Sequence, residues 1–201
     1  MGMCLSLRTL SDENIRKVLA DPPLIWKVIA PDDPEFYENS RKERPAGFLA
    51  KLFWKGKKDE ARRAELSLAD GEIADTDLDK AWHGIHYMLT QTAWEGDEPL
   101  NFLIGGGIAV GDVEVGYGPA RIFSADEVKA ISAALAPLNR DSLRARFNPQ
   151  EMMKLEIYPS IWDRDPADDD TFGYCAEYFE YLKTFIEETR RRNMGLVVYL
   201  T

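Results

Sequence analysis

Residues 78–90 read LDKAWHGIHYMLT, and this stretch decides the fold. Its apolar side chains recur at the i, i+4, i+7, i+11 spacing of a single helical face: Leu78, Trp82, Ile85 and Leu89. The spacing predicts a helix over residues 77–91 with Trp82 turned inward. Because each residue rotates a helix by about 100°, four polar side chains are expected within about 60° of one another on its flank: Asp79, His83, His86 and Thr90.

Both ends of the chain predict strands, at residues 3–9 and 196–200. The closing strand is almost wholly apolar, which is typical of a central strand covered on both faces. With helices between them, these strands predict an α+β fold. We expect a single compact, helix-rich domain with a small mixed or antiparallel sheet that includes the N- and C-terminal strands.

Helix boundaries are also marked in the sequence. Ser11 is a typical N-cap, and Ser124 with Glu127 three residues later matches a capping box. The longest predicted helix covers residues 171–193, with Gly195 as its C-cap residue. Residues 31–45, in which three prolines stand among charges, predict a surface loop.

Composition excludes several classes of protein. The chain has 201 residues, with 35 Asp and Glu against 25 Lys and Arg, and a formal net charge of −10. This acidic balance argues against nucleic-acid binding through bulk charge. Two cysteines cannot make a disulfide scaffold or a four-cysteine zinc site. Neither a secretion signal nor a membrane span is evident, so a cytoplasmic location is expected; the oligomeric state is left open.

Residues 41–63 differ from the rest of the chain in charge. They hold nine Lys and Arg against three Asp and Glu, so the remainder carries −16. Apolar residues among the lysines predict a short basic amphipathic helix. Such a helix could contact a membrane surface or an acidic partner, or dock on the acidic body of this same protein, which is the interpretation we favour.

Several stretches resemble the YfbM-like family of small bacterial proteins, whose function is not assigned. The resemblance is carried by the start of the chain, by the stretch quoted above, by residues 116–121 (GYGPAR), by residues 156–159 (EIYP) and by the terminal strand. It implies a compact α+β fold in a bacterial cytoplasm, and it transfers no catalytic residue. Residues 30–75 exceed the expected length for the family, which predicts an insertion in a single domain of residues 1–201.

Seven polar residues form the candidate cluster: Asp79, His83, His86, Tyr117, Arg121, Glu156 and Tyr158. The imidazoles with Asp79 could ligate a metal, or one imidazole could act as a general base oriented by Asp79. The interpretation we favour is structural, with these groups bonded to backbone carbonyls at the edge of the core. Tyr117 and Arg121 could form an anion site, although an ion pair of Arg121 with Asp79 or Glu156 is favoured. We predict no metal site and no cofactor.

Two functional hypotheses follow. The leading one is a non-enzymatic protein-binding or regulatory module, for example one that neutralises a basic toxin, because the sequence has no nucleophile elbow, phosphate loop or complete metal-ligand set. The alternative is a small enzyme or ligand-binding domain with a cleft at the candidate cluster. An enzyme requires those residues to converge on an open pocket, whereas an interaction protein can have them bonded to one another.

Overall fold

Five strands form one antiparallel sheet in a computed structural model that describes residues 2–43 and 66–201. The spatial order of the strands is β2-β1-β5-β4-β3. Their bounds are β1 Leu5–Leu10, β2 Asp75–Asp77, β3 Ile108–Glu114, β4 Pro119–Phe123 and β5 Gly195–Leu200. The predicted α+β class is therefore confirmed, with the N- and C-terminal strands in the same sheet.

Eight α-helices occur in the described residues. Their bounds are α1 Asp12–Ala20, α2 Ile25–Ile29, α3 Pro34–Glu43, α4 Trp82–Thr90, α5 Ala125–Leu135, α6 Arg140–Arg144, α7 Pro149–Lys154 and α8 Thr171–Arg191. Ser11 caps α1 by accepting a hydrogen bond from the Asn14 N–H. Ser124 and Glu127 form the predicted capping box at the start of α5. Both predicted helix starts are confirmed.

β5 is the central strand, and the sheet is covered on both faces. β5 pairs with β1 on one side, Leu7 opposite Val198, and with β4 on the other. One face packs Leu7 and Val198 into the larger core, to which α4, α5 and α8 contribute. The other face packs Val197 into a smaller core beneath α1 and α2. The almost wholly apolar sequence of β5 follows from this two-sided burial.

Two local predictions are wrong. Most of the predicted surface loop over residues 31–45 is the helix α3, which begins at Pro34 because the first helical position needs no backbone N–H. Gly195 is a strand residue, and Asn193 takes the left-handed conformation (φ 51°) after α8 instead. A Cβ atom at Gly195 would lie 2.6 Å from the Phe123 carbonyl oxygen, so close strand packing requires glycine there.

The predicted basic amphipathic helix lies outside the described residues, apart from residues 41–43 at the end of α3. The expected insertion at residues 30–75 stays a prediction. Among the described helices, none combines the length and apolar character needed to cross a membrane.

Candidate functional site

The chain enters α4 through a turn, which corrects the predicted helix start. Asp79 adopts a left-handed conformation (φ 39°), so α4 begins at Trp82 rather than at residue 77. The Asp79 carboxylate accepts hydrogen bonds from the Tyr174 hydroxyl (2.8 Å) and the Cys4 thiol (3.3 Å). The hydrogen bond from Tyr174 lowers the pKa of Asp79. The predicted placement of Asp79 beside the two imidazoles on one helix flank is wrong.

His83 is a fully buried connector between two loops. Its Nε2 lies 2.6 Å from the Ala93 carbonyl oxygen, and its Nδ1 accepts a hydrogen bond from the Tyr158 N–H at 2.9 Å. This pattern fits the neutral imidazole with a proton on Nε2. The ring contacts both Trp82 (4.7 Å between ring centroids) and Trp94 (4.4 Å). Burial lowers the pKa of His83, which favours the same neutral form.

His86, one turn further along α4, is also fully buried. Its Nε2 lies 3.3 Å from the Thr90 hydroxyl, while Nδ1 has no hydrogen-bond partner among the described residues. Burial, with a smaller contribution from nearby His83, lowers the pKa of His86 to about 4. Neither imidazole is therefore placed where a substrate could reach it from solvent.

Arg121 on β4 binds backbone carbonyls instead of an acidic side chain. Its guanidinium donates to the carbonyl oxygens of Phe102 (3.0 Å), Leu103 (2.7 Å), Gly105 and Gly106 (3.3 Å). Burial lowers the pKa of Arg121 to about 10. The prediction of an ion pair between Arg121 and Asp79 or Glu156 is therefore wrong. The carbonyl groups of the 102–106 loop converge, and the planar guanidinium can donate to several of them at once.

The other three candidates differ in their surroundings, and of these Tyr158 contacts His83 through its backbone N–H. Tyr117 is 58% exposed at the turn between β3 and β4. Glu156 follows α7 in a left-handed conformation (φ 54°). The Tyr158 hydroxyl accepts a hydrogen bond from the Met3 N–H at 3.0 Å, and its ring stacks near Trp82.

A small cleft lies where the 93–104 loop meets the end of the sheet. Its volume is about 150 Å³, and Trp82, Trp94 and Tyr199 contribute to its walls. Of the seven candidate residues, Tyr117 and Arg121 line it, and the donors of Arg121 already bind carbonyls. Within the described part of the chain, no three His, Cys, Asp or Glu side chains are grouped as metal ligands.

A different surface, missed in the sequence, lies on α8 beside β2. Three tyrosines at i, i+4 and i+7 form a ladder in which successive rings meet edge to face, with centroid distances of 4.9 and 6.0 Å. Carboxylates from α8, from β2 and from the turn after it surround the ladder. We call this surface the acidic tyrosine face: Tyr174, Tyr178, Tyr181, Asp77, Asp79 and Glu177.

The hydroxyl groups of this face differ in availability. Tyr174 donates to Asp79, and Tyr181, which is 53% exposed, donates to Glu177 at 2.7 Å. The Tyr178 hydroxyl has no hydrogen-bond partner among the described residues. Partial burial and the nearby carboxylates of Asp79 and Asp77 raise the pKa of Tyr178, which keeps its hydroxyl protonated.

The whole chain matches one protein family. The model of the family described as "Domain of unknown function (DUF1877)" covers residues 1–199. The chain belongs to this family. The crystal structure of YfbM, a protein of unknown function from Escherichia coli, aligns with a TM-score of 0.61 and 15% identity, over 98% of this chain and 99% of that one. The resemblance to the YfbM-like family is thereby confirmed. No curated protein matches.

For this DUF1877 chain, the sequence did contain a signal for the missed surface. Tyr174, Tyr178 and Tyr181 recur at helical spacing on α8, next to the apolar stripe that includes Cys175 and Phe179. A pattern of tyrosines beside a core stripe is compatible with core packing or with exposure. The pairing of β2 with β1, which brings Asp77 beside the ladder, is a tertiary contact that the sequence pattern does not show.

Proposed function

We infer that this protein is a non-enzymatic protein-binding module that holds a basic partner protein on the acidic tyrosine face. A basic toxin restrained by this surface would belong to that class. The observation that carries the proposal is the tyrosine ladder itself, which lies on a rigid helix of 21 residues and is bordered by carboxylates. Tyrosines present large apolar area with a polar tip and are enriched in the centres of protein interfaces.

Charge complementarity supports a basic occupant. Asp77, Asp79 and Glu177 border the ladder, and the described residues as a whole contain 32 Asp and Glu against 18 Lys and Arg. A field of this sign accelerates encounter with a basic protein and opposes an acidic one. The unpartnered Tyr178 hydroxyl remains available for a hydrogen bond across the interface.

Side chains of the candidate cluster are already hydrogen-bonded within the protein, which supports a binding role rather than a catalytic one. Both nitrogens of His83 are occupied, Asp79 is bonded to Tyr174 and Cys4, and the Arg121 guanidinium is bound to carbonyls. The alternative, a small enzyme or ligand-binding domain, would rest on the 150 Å³ cleft at Tyr117 and Arg121. The described residues that line that cleft include neither imidazole and no carboxylate.

The test compares two pairs of aromatic residues, the half-buried Tyr178 with the exposed Tyr181, and the exposed Trp94 with the exposed Tyr117. Tagged wild-type protein, a Tyr178→Ala/Tyr181→Ala variant and a Trp94→Ala/Tyr117→Ala variant are used for quantitative affinity purification from the source cells. Trp94 and Tyr117 are 57% and 58% exposed and flank the alternative cleft, so they control for loss of surface aromatics. Captured proteins are identified, purified and titrated by calorimetry.

We expect a basic protein that is retained by wild type and by the cleft variant and is lost by the tyrosine variant. Each tyrosine should contribute about 2 kcal/mol, or roughly thirtyfold in Kd, as interface hot spots do. A partner that depends on Trp94 and Tyr117 instead would assign function to the cleft and contradict the proposal. A dimer that dissociates only in the tyrosine variant, measured by light scattering, would identify a second copy as the occupant and contradict it too.

A further inference from the structure

Two arginines one turn apart on α6 are held against aromatic rings at the start of α8. The Cζ atoms of Arg140 and Arg144 lie 5.1 and 4.7 Å from the centroid of the Phe172 ring, and Arg144 also lies 5.7 Å from the centroid of Phe147. Stacking of a planar guanidinium on an aromatic face restricts its orientation. The pair is therefore partly ordered before any ligand arrives.

Among residues 2–43 and 66–201, neither arginine has an anionic hydrogen-bond or ion-pair partner. Of the eleven arginines in the described residues, seven donate hydrogen bonds to carbonyl, carboxylate or hydroxyl oxygens. Four do not: Arg16, Arg140, Arg144 and Arg191. In a protein with so many carboxylates, two adjacent unpaired guanidinium groups are a notable feature, because like charges at i and i+4 repel each other.

The nearby carboxylates are partly committed elsewhere. Asp170 caps α8 by accepting the Gly173 N–H at 2.8 Å, and Asp169 pairs with Arg164 at 2.6 Å. This cap occupies the Gly173 N–H and places the Asp170 carboxylate at the groove, so the two guanidinium groups are what attracts an anion there. Asp141, next to Arg140 on α6, lines the same groove and opposes an anion there.

The groove next to the arginines has room for a ligand. A cavity of about 400 Å³ is lined by Arg140, Asp141, Arg144, Pro166, Asp170 and Phe172. A second cavity of about 320 Å³ shares Arg144 and Phe172 with it and extends to Phe147 and Trp162. The lining of this second cavity also includes Asp163, Arg164 and Asp170, so the arginine end adjoins an end where aromatic and charged side chains are mixed.

We propose that Arg140 and Arg144 form a binding site for a phosphate group, either free phosphate or a phosphate monoester whose body lies toward Phe147. A phosphate dianion matches two positive charges, and its oxygens accept hydrogen bonds from both guanidinium forks. It would also relieve the repulsion between the two arginines. This site is independent of the proposed protein-binding role.

The test titrates the isotope-labelled full chain with phenyl phosphate, with inorganic phosphate and with uncharged benzyl alcohol, and follows the arginine side-chain resonances by NMR. The variants are Arg140→Gln/Arg144→Gln, the charge-preserving Arg140→Lys/Arg144→Lys, and Asp141→Asn. Arg16→Gln/Arg191→Gln is the matched control, because it removes two arginines that also lack hydrogen-bond partners. Thermal unfolding of every variant verifies that the fold is kept.

We expect saturable phosphate binding with a Kd of about 1 mM or tighter, which the glutamine pair weakens by about tenfold or more, as loss of charge-assisted hydrogen bonds predicts. The lysine pair should lose part of that affinity, because lysine has no planar fork. Asp141→Asn should tighten binding, and the control pair should leave it unchanged. Tighter binding of phenyl phosphate than of inorganic phosphate identifies an ester, whereas equal affinities identify the free ion.

Three results would overturn the proposal: no saturable shift with either phosphate, an equal loss in the control pair, which indicates bulk charge, or the same shifts with benzyl alcohol.

Discussion

Replacing Trp82 by alanine tests whether α4 anchors the larger core. Trp82 is only 1% exposed, its Nε1 donates to the Met3 carbonyl oxygen at 3.1 Å, and its ring stacks on His83. Truncation of a buried aromatic side chain costs about 3–5 kcal/mol, of which the hydrogen bond accounts for about 1. Total stabilities of domains are about 5–15 kcal/mol, so we expect Trp82→Ala to be folded only marginally.

The assay is urea unfolding followed by far-ultraviolet circular dichroism, which does not depend on the tryptophan that is removed. Trp82→Phe separates the contribution of apolar packing from that of the hydrogen bond, because it keeps most of the apolar volume and loses the bond to Met3. Its expected cost is about 1–2 kcal/mol. Trp94→Ala is the control, since Trp94 is 57% exposed. A loss below about 1 kcal/mol for Trp82→Ala, or a loss no greater than that of Trp94→Ala, would refute the anchoring role of α4.

Three further outcomes can be checked with the same unfolding assay. Arg121→Met should cost about 2–4 kcal/mol, because it leaves several buried carbonyls without a donor, and Arg121→Lys should recover part of the loss. Gly84→Ala should destabilise the fold by about 1–3 kcal/mol, although alanine favours helices. The reason is steric, because the new Cβ would lie 2.5 Å from the Trp162 ring and 2.9 Å from the Cys175 sulfur. A gain in stability would contradict this close packing of α4. Burial lowers the pKa of His86 from 6.5 to about 4, so the neutral imidazole contributes its full share of folding stability above pH 6.5, and that share is lost as the pH falls toward 4. The free energy of unfolding of the wild type should therefore fall by about 3 kcal/mol more than that of His86→Asn between pH 7 and pH 4. Equal losses in the two proteins would contradict a buried neutral His86.

The elements that the sequence predicted well are those determined by local periodicity and capping. The apolar character of β5 and the capping boxes act over a few residues, and tertiary structure did not override them. The two wrong elements depended on prolines and a glycine, whose local preferences fit more than one structure. Three prolines among charges favour a loop, but proline also suits the first helical position, which Pro34 occupies. Glycine favours a C-cap, but Gly195 lies in a strand, where a Cβ atom would be too close to the Phe123 carbonyl oxygen.

The candidate site was less predictable, because its geometry depends on contacts that are distant in the chain. Asp79 lies in a left-handed turn before α4, and its partners are Cys4, which directly precedes β1, and Tyr174 on α8. Arg121 binds the 102–106 loop, whose converging carbonyls exist only after that loop has folded. Neither contact can be deduced from helical spacing. That spacing predicts Asp79 beside His83 and His86, whereas the fold places Asp79 in the turn before α4.

The stretches that resemble the family contribute the side chains that join separate segments. Trp82 binds the first residues of the chain, His83 joins the Ala93 loop to the Tyr158 loop, and Arg121 orders the 102–106 loop. Polar groups used in this way are removed from solvent and committed to backbone partners, which gives them a lowered pKa and no free donor for a substrate. Burial in the assembled fold is sufficient to account for the lowered pKa values of His83 and Arg121. Binding partners should be sought where side chains have donors without a partner among the described residues. Such side chains lie on the acidic tyrosine face, at Tyr178, and at the Arg140–Arg144 pair.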